Sequence, residues 1–122
     1  MKNKLENWLK EIVPVVWKEK IYNKLYFIEL SPTCSAVIEW EFDYDNDEYC
    51  EGCCPCISIR QNNSPLSMDY WIIPTLQTYA LEQEIFQERI PFIINWLLKE
   101  LKEAEKIIKE IKHKRSKKLW EE

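Results

Sequence analysis

The sequence predicts an α+β fold: an N-terminal helix, a small antiparallel sheet of three to four strands, and a long C-terminal helical hairpin or kinked helix packed on one face of the sheet. Three hydrophobic periods indicate this class. Apolar residues repeat at helical spacing near the N-terminus, alternate with polar residues in the middle, and follow a heptad near the C-terminus. A length of 122 residues fits a single domain over 1–122.

The first helix is expected to begin near residue 4. Its predicted apolar stripe consists of Leu5, Trp8, Leu9, Ile12 and Val16. Asn3 followed by Glu6 fits a capping box, in which each side chain bonds a free backbone N–H of the first turn. Pro14 lies inside the stripe and lacks a backbone donor, so the helix is expected to kink there, or to end and restart.

The pattern in the middle of the chain predicts strands. Residues 25–30 form a short aromatic and aliphatic run that predicts a buried strand. In the next segment one face carries Ala36, Ile38, Trp40, Phe42 and Tyr44. The other face carries Val37, Glu39, Glu41 and Asp43. This alternation predicts a half-buried strand with a solvated acidic face, whose register is firmly set because a slip of one residue would bury three acids.

A hairpin loop over 45–52 and a returning strand over 53–60 are expected to follow. Pro55 in the returning strand indicates a strand start or an edge, because proline cannot donate to the ladder. Residues 68–73 form a possible further short strand, which Pro74 would end.

The C-terminal part reads as helical from residue 75. Pro91 is expected either to begin a new helix or to kink a continuing one. A heptad seam then runs through Ile90, Ile94, Leu97, Leu101, Ala104, Ile108 and Ile111. Such a seam packs inside a small domain or forms a homodimer through this helix, so both a monomer and a dimer are left open. The basic run 112–118 suits a helix C-terminus.

The net charge of −4 hides an uneven distribution. Residues 25–60 carry eight acids and one arginine, a charge of −7, whereas residues 1–24 and 99–122 each carry +3. An acidic centre disfavours nucleic acid and favours a basic protein partner. Contact of the basic run 112–118 with nucleic acid is the weaker alternative.

The acidic centre provides the candidate binding surface for such a partner. Its members are acidic or aromatic, and they are Glu39, Glu41, Asp43, Tyr44, Asp45, Asp47, Glu48 and Tyr49. Acidic groups steer a basic partner and tyrosines anchor it, although a solvated sheet face followed by a polar turn explains the same pattern. The alternating Asp43, Asp45 and Asp47 resemble the start of a calcium loop, but Glu48 and Cys54 stand where that loop needs glycine and glutamate.

Five cysteines form the other unusual feature. Four of them are candidate metal ligands: Cys34, Cys50, Cys53 and Cys56. The last three have a C-x2-C-x2-C spacing that suits zinc or an iron–sulfur cluster, whereas the absence of a second ligand pair favours buried structural thiols. No secretory signal or membrane-spanning segment is seen in the sequence, so the expected location is cytoplasmic, where cysteines remain thiols.

No catalytic constellation is found, so no enzymatic activity is predicted. The single glycine, Gly52, excludes Gly-rich phosphate loops, and the only histidine, His113, lies in the basic run. In size, acidic centre and architecture the chain resembles the immunity proteins that neutralise bacterial toxins. That resemblance implies a small bacterial inhibitor that masks a basic toxin and needs no cofactor. The alternative is a regulatory module built on cysteine-ligated zinc or iron–sulfur.

Overall fold

Two helices cover one face of a four-stranded antiparallel sheet in the computed structural model of the chain. The structure describes residues 1–21, 24–41, 54–62, 73 and 75–121, with the backbone alone described for 41 and 112–121. In chain order, the elements are α1 (Lys2–Glu19), β1 (Leu25–Glu29), β2 (Cys34–Glu41), β3 (Cys54–Gln61), β4 (Leu76–Gln77) and α2 (Gln83–Glu121). Each strand pairs with its neighbour in sequence, and the predicted α+β class is confirmed.

Helix α1 buries one apolar stripe, made of Leu5, Leu9, Val13 and Val16. It begins earlier than predicted, because the N–H of Leu5 donates to the carbonyl of Met1 at 3.0 Å. Asn3 therefore lies inside the helix, and the predicted capping box is wrong: no side chain caps this end. Glu6 instead forms an ion pair with Lys10 one turn later, at 2.9 Å.

Pro14 does not end α1. The proline is exposed, and the helix continues past it to Glu19, where Lys20 adopts the left-handed conformation (φ 45°) and donates its N–H to the carbonyl of Val16. The predicted end and restart at Pro14 therefore does not occur. Packing of Val13 and Val16 on the core compensates for the hydrogen bond that proline cannot make.

The predicted register of β2 is confirmed over the described residues. Ala36, Ile38 and Trp40 all lie on the helix-covered face of the sheet, within the core. Their partners in β3 are Ile59, Ile57 and Pro55, which are buried as well. Phe42, Tyr44 and Asp43, which were assigned to the two faces of this strand, lie outside the described residues, as does the loop predicted over 45–52.

The second face of the sheet, opposite the helices, is buried at its centre and exposed at its β1 side, so it is not the fully solvated surface that the alternation predicts. Val37 at its centre is fully buried, and so is Ser58 opposite it in β3. Arg60 is also buried, with its guanidinium 5.4 Å from the centre of the Phe27 ring. The prediction is wrong for Val37 because alternation within one strand does not report what covers the neighbouring strands.

Helix α2 is one continuous helix that passes through Pro91, so the structure has a single long helix rather than a helical hairpin. Its heptad seam is buried from Ile90 to Ile108 and packs against α1 and the sheet, whereas Ile111 is exposed. These side chains are thus already buried by contacts within the chain. A homodimer through α2 would have to use another face of the helix.

The helix predicted from residue 75 begins only at Gln83. Leu76 and Gln77 instead form β4, which pairs with Ile57 and Cys56 of β3. The prediction is wrong for 75–82 because strand pairing with a distant segment outweighs the local helical spacing. The strand predicted over 68–73 lies outside the described residues except for Ile73, which is buried.

Three aromatic rings join the elements of the core. Trp17 of α1 packs edge-on against Trp40 of β2 and Phe86 of α2, with centroid distances of 5.4 and 5.3 Å. The indole N–H of Trp17 also donates to the carbonyl of Leu81, at 3.5 Å, just before α2 begins. This cluster holds the end of α1 against the start of α2.

One carboxylate at the end of α1 gives the fold a pH dependence. Glu19 accepts hydrogen bonds from the Lys24 ammonium and the Tyr26 hydroxyl, and these bonds lower the pKa of Glu19 below its ordinary value of 4.5. A lowered pKa in the folded state stabilises the fold above the ordinary value, and that stabilisation is lost as the pH falls through the lowered value.

We therefore expect Glu19→Gln to lower the melting temperature at pH 7, and the difference from the unchanged protein to shrink in acid. Thermal unfolding followed by circular dichroism at a series of pH values measures this. Glu11→Gln is the control, because Glu11 is exposed on the same helix. A difference for Glu19→Gln that is the same at every pH would contradict the role assigned to this carboxylate.

Candidate functional site

The predicted acidic surface lies only partly within the described residues. Glu39 is half-buried on the second face of the sheet, between Leu25 of β1 and Cys56 of β3, and Glu41 is the last residue of β2. The six other members lie outside the described residues: Asp43, Tyr44, Asp45, Asp47, Glu48 and Tyr49. They belong to the connection between β2 and β3, here called the acidic connection (42–53).

The predicted metal ligands are not all brought together. Cys34 lies on the helix-covered face, whereas Cys56 lies on the second face and five ladder positions away, opposite Glu39. At a rise of about 3.3 Å per residue, that spacing separates the two along the sheet by about 17 Å. Cys50 and Cys53 lie outside the described residues. In the described ranges, no group of three or more His, Cys, Asp or Glu side chains has the arrangement of a metal site.

Cys34 lies within the hydrophobic core. The side chain is fully buried beside Thr33, whose hydroxyl is 3.7 Å from the sulfur, and burial raises the pKa of the thiol. A buried thiol with a raised pKa is typical of a cysteine that packs as a small apolar side chain. The structure thus favours the interpretation of Cys34 as a core residue.

The structure contains a groove between β4 and α2 that the sequence pattern does not indicate. Its β4 side is the segment 75–80, which is held by side-chain hydrogen bonds. The hydroxyl of buried Thr78 donates to the carbonyl of Pro55 at 2.6 Å, and Arg89 of α2 donates to the carbonyl of Thr78. These bonds fix the segment to both β3 and α2. We call this site the β4–α2 groove.

Tyr79 projects from this segment with a backbone φ of 53° and a side chain that is 72% exposed. A bulky residue in the left-handed region is an outlier that costs about 1–2 kcal/mol. The hydrogen bonds at Thr78 and the buried Ala80 on the other side hold the backbone there. The fold therefore keeps a large aromatic side chain at the surface of the groove, at an energetic cost.

The groove contains two cavities, and Tyr79 lines both of them. The first has a volume of about 560 Å³ and is lined on the α2 side by Trp96 and Glu100. The second has a volume of about 430 Å³ and is lined on the α2 side by Arg89, Phe92 and Ile93. These five residues follow one another at helical spacing and so form a single stripe along α2. Phe92 is 62% exposed.

The groove and the acidic connection lie at the same end of the sheet. The acidic connection joins Glu41 to Cys54, which are opposite each other in the ladder. β4 pairs with the next residues along β3, Cys56 and Ile57, and Thr78 bonds to Pro55. A partner that contacts the groove is therefore also close to the ends of the acidic connection.

The sequence contains only a weak signal for this groove. Residues 75–90 have enough apolar positions at helical spacing to predict a helix. The pattern therefore does not indicate that Leu76 and Gln77 form a strand. Pro74 just before the segment favours an extended conformation at residue 73, which is the one local indication of a strand. Exposure of Tyr79 and Phe92 follows only from the packing of α2 on the sheet.

Comparison with known proteins identifies no relative: no protein-family model, no curated protein and no solved structure matches this chain. Within the part of the chain that is described, neither helix has both the length and the apolar character that crossing a membrane requires.

Proposed function

We propose that this protein is a cytoplasmic binding protein that masks a basic protein partner, in the manner of the immunity proteins that its size, charge and architecture resemble. The observation that carries the proposal is the open β4–α2 groove, in which Tyr79 and Phe92 are exposed at the end of the sheet that bears the acidic connection. Exposed aromatic side chains grouped around a groove are typical of protein interfaces.

The two parts of this face have different roles in binding. The acidic connection carries Asp43, Asp45 and Asp47 within the stretch of charge −7, and such a field speeds association with a basic partner. The aromatic side chains of the groove remove apolar surface from water in the complex and so slow dissociation. A basic cleft covered in this way is closed to its own substrate.

A cysteine-ligated metal module finds less support. Such a module needs its thiols around one metal, and the ladder places Cys34 and Cys56 on opposite faces of the sheet. Nothing in the described residues gathers a third ligand beside either thiol.

The partner to test first is the product of the adjacent gene, because the resemblance implies that toxin and inhibitor are encoded together. We expect a one-to-one complex whose association rate falls by about tenfold or more when Asp43, Asp45 and Asp47 are all changed to lysine, with the largest loss at low salt. Stopped-flow mixing at several salt concentrations measures the rate.

The matched control changes Glu11, Glu103 and Glu110 to lysine, because these acids are exposed and lie outside the acidic connection. It alters the net charge by the same amount. Equal rates for the two triple variants would show that the acidic connection has no special role. Absence of any complex with the adjacent gene product at micromolar concentrations would contradict an immunity-type function.

A further inference from the structure

The first cavity of the β4–α2 groove is lined by a carboxylate, and no lysine or arginine is found among the described residues that line the same cavity. Glu100 lines this cavity and is half-buried, and in the described residues it has no ion pair or hydrogen bond. The residues one turn before and after it on α2 are Trp96 and Ala104, so the helix supplies no lysine or arginine at the spacing that would pair with it. A partly desolvated carboxylate in this position favours a cation in the cavity.

Two aromatic side chains line the same cavity. Trp96 lies one helical turn before Glu100, and Tyr79 lies across the groove, held there by the segment that contains Thr78. Aromatic rings attract cations through their electron-rich faces, most strongly tryptophan, with energies of about 0.5–2 kcal/mol. Two rings and one carboxylate around an open cavity are the chemical elements of a site for an organic cation.

We propose that this cavity binds one lysine or arginine side chain of the basic partner, between Tyr79, Trp96 and Glu100. This proposal rests on the proposed function, and it specifies which chemical group of the basic partner contacts the groove. An acidic side chain would be repelled by Glu100, and an apolar side chain would leave that carboxylate buried without a partner. The only cation of the groove, among the described residues, is Arg89, which lines the second cavity and donates to the carbonyl of Thr78.

The probe that tests the inference is N-acetyl-arginine amide, compared with N-acetyl-citrulline amide, which has nearly the same shape but no charge. Binding is followed by the NMR signal of the Trp96 indole N–H, assigned by its loss in Trp96→Phe. We expect the arginine compound to shift this signal in a saturable way, and the citrulline compound to leave it nearly unchanged. Equal shifts from the two compounds would overturn the proposal.

Glu100→Gln provides the second arm, because it keeps the shape of the side chain and removes its charge. We expect it to weaken binding of the arginine compound by about threefold to tenfold, the range for loss of one partly exposed charge pair beside aromatic rings. Glu103→Gln is the matched control, since Glu103 is exposed and does not line the cavity. Unchanged binding in Glu100→Gln would contradict the site.

The same variant separates this inference from the proposed function. In the complex with the adjacent gene product, Glu100→Gln is expected to raise the dissociation rate, whereas charge reversal in the acidic connection lowers the association rate. If only the acidic variant has an effect, the cation site is wrong and the proposed function stands. If the arginine compound binds at Glu100 but no complex forms with the adjacent gene product, the site stands and the immunity-type function is wrong.

Discussion

Replacing Phe86 with alanine is expected to lower the free energy of unfolding by about 3–5 kcal/mol, the range for deleting a fully buried aromatic ring. The Phe86 ring is fully buried in the core, and its centre lies 5.3 Å from that of Trp17. The substitution removes apolar burial, opens a cavity and breaks the edge-on contact that holds α1 against α2. Because small domains have a total stability of about 5–15 kcal/mol, a large part of it would be lost.

Urea unfolding followed by far-ultraviolet circular dichroism measures this change. The matched control is Phe92→Ala, because Phe92 is on the same helix, less than two turns away, and its ring is exposed. We expect that variant to change the free energy of unfolding by no more than about 0.5 kcal/mol. Comparable losses in both variants would show that the start of α2 does not pack on α1 as described.

A second large effect is expected at Val37, where the sequence and the structure disagree. The alternation of β2 assigns Val37 to a solvated face, on which an aspartate would be tolerated. In the structure Val37 is fully buried, opposite Phe27 and Ser58 in the neighbouring strands. Val37→Asp places an unpaired carboxylate there, and we expect it to lower the free energy of unfolding by about 3 kcal/mol or more.

Val15→Asp is the matched control, since Val15 is exposed on α1 and the chemical change is the same. Its expected cost is below about 1 kcal/mol, because Val15 is already exposed to water and aspartate has about the same helix propensity as valine. Urea unfolding of both variants gives the comparison, and Val37→Thr adds a neutral polar substitution of similar size. If Val37→Asp were as stable as Val15→Asp, the second face would be open to water, as alternation predicts.

One part of the candidate site can be predicted from the sequence pattern, and the other part cannot. The acidic residues 39–48 stand out in the sequence because charge is visible without any knowledge of the fold. The β4–α2 groove does not stand out, since Tyr79, Trp96 and Glu100 are distributed over a segment that reads as helix. They line one cavity only because the residues around Leu76 pair with β3 as a strand and α2 supplies the other side of the groove.

The cysteines also show that a sequence pattern does not establish which residues meet in space. Spacing in the sequence groups Cys50, Cys53 and Cys56 as possible ligands, and Cys34, in the neighbouring strand, is the candidate for a fourth. The strand ladder separates Cys34 from Cys56, since residues an odd number of positions apart point to opposite faces. The expected meeting of Cys34 with Cys56 is therefore not found, because it depends on the strand register and not on the spacing of the cysteines.

Local periodicity is enough to predict the elements whose burial repeats along one stretch of chain. The apolar stripe of α1, the alternation of β2 and the heptad seam of α2 each record which side of a single element faces the core. A regular period is a local property, because every residue in it has the same relation to its own backbone. These three patterns were sufficient for the α+β class.

The places where segments from distant parts of the chain meet depend on tertiary contacts, which no local period indicates. Pairing with β3 made a strand of Leu76 and Gln77, packing on the core stabilised α1 across Pro14, and tertiary packing buried Val37 at the centre of the second face. In each case contacts between distant residues outweighed the local conformational preference that opposed them. That preference is about 1 kcal/mol or less for most residues, and it is larger for a proline inside a helix. Such contacts have no period along the chain, so no local reading of the sequence reveals them.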